Sequence, residues 1–229
     1  MEIPGLNKVG DAIGNAFSVF DFSFFISGSL TLAFIVLDMH YYGHDGILSL
    51  DGWKSIVGWI LAIYICGLMS WSTGKCIRWF ILRLFWYKSG GIRGDFKDVF
   101  ERTTSRFNQK EVSKVTNIVT TDDNDVAYTK MWLSISMDEK LKEKTTYLNK
   151  MWVMVAVFEG LLFSWIVGLF VYLDGLFVGK WISLDSYWLC VVPILVLLVL
   201  FASSCWRATA YSRDLVKEVV VTYYESINK

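Results

Sequence analysis

The chain has 229 residues, 54% of them hydrophobic and 17% aromatic, and its mean hydropathy is +0.42. Its 22 Lys and Arg balance 22 Asp and Glu, so bulk charge gives no argument for a strongly acidic or basic partner. Apolar residues gathered into four long runs exclude the arithmetic of one or two soluble domains, because lipid replaces much of the core.

Residues 1–20 form a weakly amphipathic segment, with Ile3, Leu6, Val9, Ile13, Phe17 and Phe20 at helical spacing. Gly5, Gly10 and Gly14 lower its helix propensity, and an interfacial helix or a mobile plug is expected. The first apolar run, 22–37, begins after about twenty residues that contain only one base, Lys8, and no small-residue cleavage site follows it. Ser23, Ser27 and Thr31 make a hydroxyl stripe along this run, below Asp21 at its mouth. The loop after it is acidic, with Asp38, Asp45 and Asp51 against Lys54. His40 and His44 lie in that region, but two histidines around Gly43 are weak evidence for a metal, and no metal site or cofactor is expected.

The second run, 55–74, carries small residues at every fourth position: Gly58, Ala62, Cys66, Ser70 and Gly74. Such stripes let helices approach closely in lipid. No breaker follows until Gly90 and Gly91, so residues 21–87 are read as spans one and two with a helical extension. Residues 88–150 are read as a small helical cytoplasmic module. Its most basic part holds Lys88, Arg93, Lys97, Arg102, Arg106, Lys110 and Lys114, with Phe96, Phe100 and Phe107 interleaved. Anionic lipid, a protein, a nucleotide or a DNA oligomer are the candidate partners of that stretch. Asp95, Asp98, Glu101 and Glu111 offset much of its charge. Further on, Asp138 is expected to cap a helix in which Leu141 and Leu148 share a face.

The third run, 151–173, contains Glu159 together with small residues Gly160, Ser164 and Gly168. Glu159 lies roughly 13 Å along a helix from the start of the run, too deep for a short carboxylate to reach the surface. It is expected to be partnered, protonated or open to water. The fourth run, 187–206, includes Pro193, which is expected to bend its helix. Residues 151–206 thus hold spans three and four. In the tail, 207–229, Leu215, Val219, Tyr223 and Ile227 recur four apart, as a helix that could pack on the middle module. Cys66, Cys76, Cys190 and Cys205 lie in or beside the runs and read as small apolar residues, not a disulfide framework.

Residues 75–150 hold 15 of the 22 bases, and Arg207, Arg213 and Lys217 follow the last run. The two short loops are acidic, so the positive-inside rule puts both termini and the middle module in the cytoplasm. The fold class expected is an all-α membrane protein with four transmembrane helices. Enzyme motifs are missing: Gly90-Gly91-Ile92-Arg93-Gly94 is not followed by Gly-Lys-Ser/Thr, and no histidine sits beside Ser27 or Ser29. A non-enzymatic role is therefore expected. The leading expectation is a homo-oligomeric ion channel gated through the cytoplasmic module, with Ser23, Ser27, Thr31, Glu159 and Asp21 lining or flanking the path. The alternative is a non-conducting anchor or sensor that recruits a cytoplasmic partner.

The chain also resembles, in outline, the small multi-pass membrane effectors of bacterial anti-phage systems of the Hailong and Kiwa type. Four spans, a helical insert between the second and third, and the first span Phe20-Asp21-Phe22-Ser23-Phe24-Phe25-Ile26-Ser27-Gly28-Ser29 carry the resemblance. It implies an oligomeric channel or membrane-perturbing effector of the bacterial inner membrane, controlled by a cytoplasmic signal, which in the Hailong type is a DNA oligomer. It is a resemblance of architecture and assigns no role to any residue.

Overall fold

A computed structural model of the chain describes residues 19–44, 52–86, 124–179, 182 and 187–227. These residues form five α-helices and one short 3-10 turn, and no strand occurs among them. The helices are α1 (Val19–Tyr41), α2 (Gly52–Trp86), α3 (Asn124–Met137), α4 (Lys142–Phe177) and α5 (Tyr187–Ile227). Four contain segments long and apolar enough to cross a membrane: Phe22–Tyr41, Ser55–Leu84, Glu139–Phe177 and Cys190–Ile227. The N-terminal amphipathic segment and the basic stretch from Lys88 to Lys114 lie outside the described residues.

The apolar runs prove shorter than the helices that contain them. The second run continues to Trp86, as the lack of a breaker implies, and the fourth continues unbroken into the tail as far as Ile227. Pro193 lies inside α5, which is helical on both sides of it. The stretch before Asp138 is α3, a helix. Asp138 is extended at φ −87°, and its carboxylate accepts a hydrogen bond from the Lys140 backbone N–H at 3.0 Å. It caps the 3-10 turn Glu139–Leu141, from which α4 starts directly. α1 ends in a Schellman motif: His44 N–H reaches the Met39 carbonyl at 3.0 Å, Gly43 N–H reaches that of His40 at 3.0 Å, and Gly43 takes φ +76°.

The chain divides into two units, and the three longest helices contribute to both. The first unit comprises Met1–Lys75 and Ala156–Cys205. Its outward side chains are apolar: Ile56, Val57, Ile60, Leu61 and Ile65 on α2, and Leu195, Val196 and Val199 on α5, are all exposed. In water such a surface would be an aggregation site; against lipid it is the ordinary exterior.

The second unit comprises Cys76–Val155 and Trp206–Lys229. It has its own apolar core, in which Met131 and Ile135 of α3 meet Leu148 and Met151 of α4 and Leu215, Val216, Val219 and Val220 of α5. Leu141 and Leu148 share this core, as their spacing predicts, and the tail supplies the other wall. Trp132 and Trp152 pack against the same core, whereas Trp79 is exposed with the Arg83 guanidinium 5.1 Å from its ring. Burial raises the Tyr128 phenol, at the edge of this core, well above its ordinary pKa.

Within the first unit, the end of α1 is tied to the end of α4 by Tyr42, whose hydroxyl donates to the Asp174 carboxylate at 2.5 Å. That bond, with smaller contributions from desolvation and from the charges of Asp174 and Asp38, pushes the phenol up to about 12 from 10.0. A pKa raised by folding means that the stabilisation is fully present below 10.0, the ordinary value, and is lost as pH rises through about 12. Thermal melts in mild detergent should show stability falling over that window, and Tyr42→Phe should flatten the fall. An equally steep fall in the variant would assign it to another group.

Candidate functional site

Three residues of α1 spaced four apart face one way, and all three are enclosed: Ser23 and Ser27 are fully buried and Thr31 is 2% exposed. The stripe expected to line a path is packed inside a single chain. Phe24, beside it, sets its ring edge-on to Tyr64 at 6.0 Å and tilted against Trp71 at 5.5 Å, both on α2. α1 can come this close to α2 because Gly28 and Gly67 meet there. A Cβ on Gly67 would fall on the Phe24 carbonyl, and one on Gly28 would fall on the carbonyl of Ile63. Two further close approaches hold α4 in place, Gly74 against the Glu159 backbone carbonyl and Gly160 against the Ser27 side chain. Gly168 does the same against the Phe34 ring.

The fourfold stripe on α2 is only partly a contact surface. Residues advance by about 100° around a helix, so Gly58 and Gly74, sixteen apart, point roughly 160° away from each other. Accordingly Gly74 and Ser70 are buried, Ala62 and Cys66 are half-buried, and Gly58 is exposed with open space around it. Gly67, outside the stripe, stands within roughly 20° of Gly74 and is where α2 meets Gly28 and the Phe24 backbone of α1. The α4 residues Gly160, Ser164 and Gly168 are all buried at contacts, as their spacing predicts.

At the centre of the unit the Thr31 hydroxyl joins three helices. It lies 2.9 Å from Ser70 Oγ on α2 and 2.8 Å from Ser164 Oγ on α4. Ser70 is 2.6 Å from the Cys66 carbonyl; Ser164 is 3.1 Å from the Ser27 carbonyl and 3.2 Å from that of Gly160. Each hydroxyl has one proton to give. If Ser70 donates to Cys66, then Thr31 donates to Ser70 and Ser164 to Thr31. If instead Ser164 donates to a carbonyl, Thr31 donates to Ser164 and Ser70 to Thr31, so both hydroxyl–hydroxyl bonds reverse and the Cys66 carbonyl gives up its bond. Either direction satisfies all three hydroxyls, because a backbone carbonyl waits at both ends.

Glu159 is 3% exposed and partnered: Trp71 donates its indole N–H to Glu159 Oε2 at 3.0 Å. The Lys75 ammonium lies 5.6 Å from the centre of the same indole. Trp71 therefore sits between a cation over its ring and a carboxyl at its edge, and both contacts favour its electron distribution. A second indole bond, from Trp165 to Ser204 Oγ at 3.0 Å, ties α4 to α5. Neither tryptophan was marked by the apolar pattern, although an indole N–H in mid-run always needs an acceptor. Asp21 lies in the first turn of α1, and its side chain falls outside the described residues, as does the whole basic stretch Lys88–Lys114. Among the described residues, no group of three His, Cys, Asp or Glu side chains is arranged to hold a metal ion.

The helices and their seam define an all-α protein with four helices long and apolar enough to cross a membrane. No protein-family model, curated protein or solved structure matches the chain.

Close packing at Gly67 predicts a sharp contrast between two glycines of one helix. Gly67→Val should destabilise the protein by about 1–3 kcal/mol through overpacking. Gly58→Val, facing open space, should leave the melting midpoint in detergent unchanged. Equal effects would mean that α1 and α2 do not cross at Gly28 and Gly67.

Proposed function

We propose that the chain is an integral protein of a bacterial inner membrane that acts as a non-enzymatic anchor and sensor, holding its second unit on the cytoplasmic side for a soluble partner. The observation that carries this reading is the buried seam. Ser23, Ser27, Thr31 and Glu159, the polar side chains best suited to line a path, are all spent on contacts within one chain. A second unit with its own apolar core is what a presenting module requires. The bases of residues 75–150 and of the tail support its cytoplasmic placement. The partner would be a protein, a nucleotide or a DNA oligomer engaging Lys88, Arg93, Lys97, Arg102, Arg106, Lys110 and Lys114.

A gated homo-oligomeric channel is the second reading, favoured by one observation: an acid is buried next to a chain of hydroxyls in membrane-length helices. Intramembrane acids are rare and mark ion pathways. In that reading the seam is the closed state, and separation of α1 from α4 would expose Ser27, Thr31 and Glu159 to water. The resemblance to anti-phage effectors then supplies the setting, a pore opened by infection.

Ion flux in liposomes, with oligomeric mass measured alongside, separates the two. The anchor reading expects no flux from the wild type or from Glu159→Gln. It also expects a captured cytoplasmic partner that is lost when the seven bases are changed to Gln. Cation flux that Glu159→Gln alters, from an oligomer of unchanged mass, would establish the channel instead.

A further inference from the structure

The second unit contains a cleft of about 390 Å³ between α4 and α5. α4 lines it with Tyr147, Lys150, Met151 and Met154, and α5 with Tyr211, Asp214 and Glu218. The spacings are i, i+3, i+4, i+7 and i, i+3, i+7, so each helix offers one face. The charge is divided between the walls: a cation on α4, two carboxylates one turn apart on α5. Among the described residues, no ion pair joins Lys150 to either carboxylate, whereas Lys144 pairs with Glu225 at 3.9 Å. Opposite charges thus face one cleft without neutralising each other.

The sequence sets the level of this cleft. Lys150 is the last charged residue before the apolar run that begins at Met151, and Arg207 is the first after the run that ends at Trp206. Lys150 and Tyr211 stand where each helix changes from apolar to charged, the depth of lipid headgroups. Met154, one turn further into the run and exposed, adds an apolar, adaptable surface on the hydrocarbon side.

We propose that this cleft seats a zwitterionic phospholipid of the surrounding bilayer, a lipid with a phosphoethanolamine headgroup. Its phosphate meets the Lys150 ammonium, with the phenols of Tyr147 and Tyr211 as further donors. Its primary ammonium donates to Asp214 and Glu218. The first methylenes of an acyl chain lie on Met154. A phosphoglycerol headgroup, with net negative charge, leaves the two carboxylates facing only like charge. A choline headgroup has no N–H to donate to them. The proposal rests on the membrane reading of the helices and is independent of whether the protein conducts.

The full-length protein in detergent would be incubated with vesicles of matched acyl chains bearing phosphoethanolamine, phosphoglycerol or phosphocholine headgroups. Lipids retained would then be counted by native mass spectrometry. The wild type should retain phosphoethanolamine lipid about tenfold over the others, the scale of one charge-assisted hydrogen bond. Asp214→Asn with Glu218→Gln should abolish that preference, and Lys150→Gln should lower retention of all three. Equal retention of the three lipids by the wild type would overturn the proposal, and this comparison needs no variant to fold. A preference that survives in the double variant, at wild-type helicity and mass, would place the lipid elsewhere and overturn it too.

Discussion

In a bilayer, lipid tails solvate apolar side chains as well as a neighbouring helix does, so apolar character cannot by itself bring helices together. Contact must come from close approach and from polar groups that the lipid cannot satisfy. The first unit is built on that constraint. Gly28 and Gly67 remove the side chains that would hold α1 and α2 apart. Thr31 can then reach Ser70, and where Gly160 lets α4 close on Ser27 it reaches Ser164 as well. The glycines set the distance and the hydroxyls set the register. Glu159 and Trp71 add a further bond where α2 crosses α4, at the point where Gly74 admits the α4 backbone.

The second unit follows the opposite logic. Its centre is Met131, Ile135, Leu148, Val216, Val219 and Val220, with aromatic residues around the edge. Exclusion of apolar surface from water stabilises such a cluster, and no polar network is needed. Its buried Thr222 hydroxyl has no hydrogen-bond partner in the structure, unlike the hydroxyls of the seam. Under the proposed topology one chain uses two solvents: packing and hydrogen bonds where lipid is the reference, burial where water is.

Much of this was legible in the order of residues. Apolar runs alone located the four long helices, because length and hydropathy are local properties. A period of four located the hydroxyl face of α1 and the small face of α4. Asp138, Leu141 and Leu148 announced the capped start of α4 and its buried side. The partners were not legible. That Ser70 and Ser164 both reach Thr31 depends on how α1, α2 and α4 are staggered, and the stagger follows from glycines on separate helices. On α2 a strict fourfold count drifted around the helix, so Gly58 was included and Gly67 was missed. Glu159 was recognised as needing a partner, but Trp71 lies 88 positions away and nothing local links the two.

The seam around Thr31 fixes its heavy atoms and leaves its protons undecided. With a carbonyl acceptor at each end, the row from Ser70 to Ser164 has two proton arrangements with the same number of bonds, as water molecules do in ice. The bundle therefore retains configurational entropy at the place where its side chains are most tightly held. The two arrangements carry opposite dipoles, so all three hydroxyls can turn together while no helix moves. A rigid crossing of three helices is in this respect an electrically soft element.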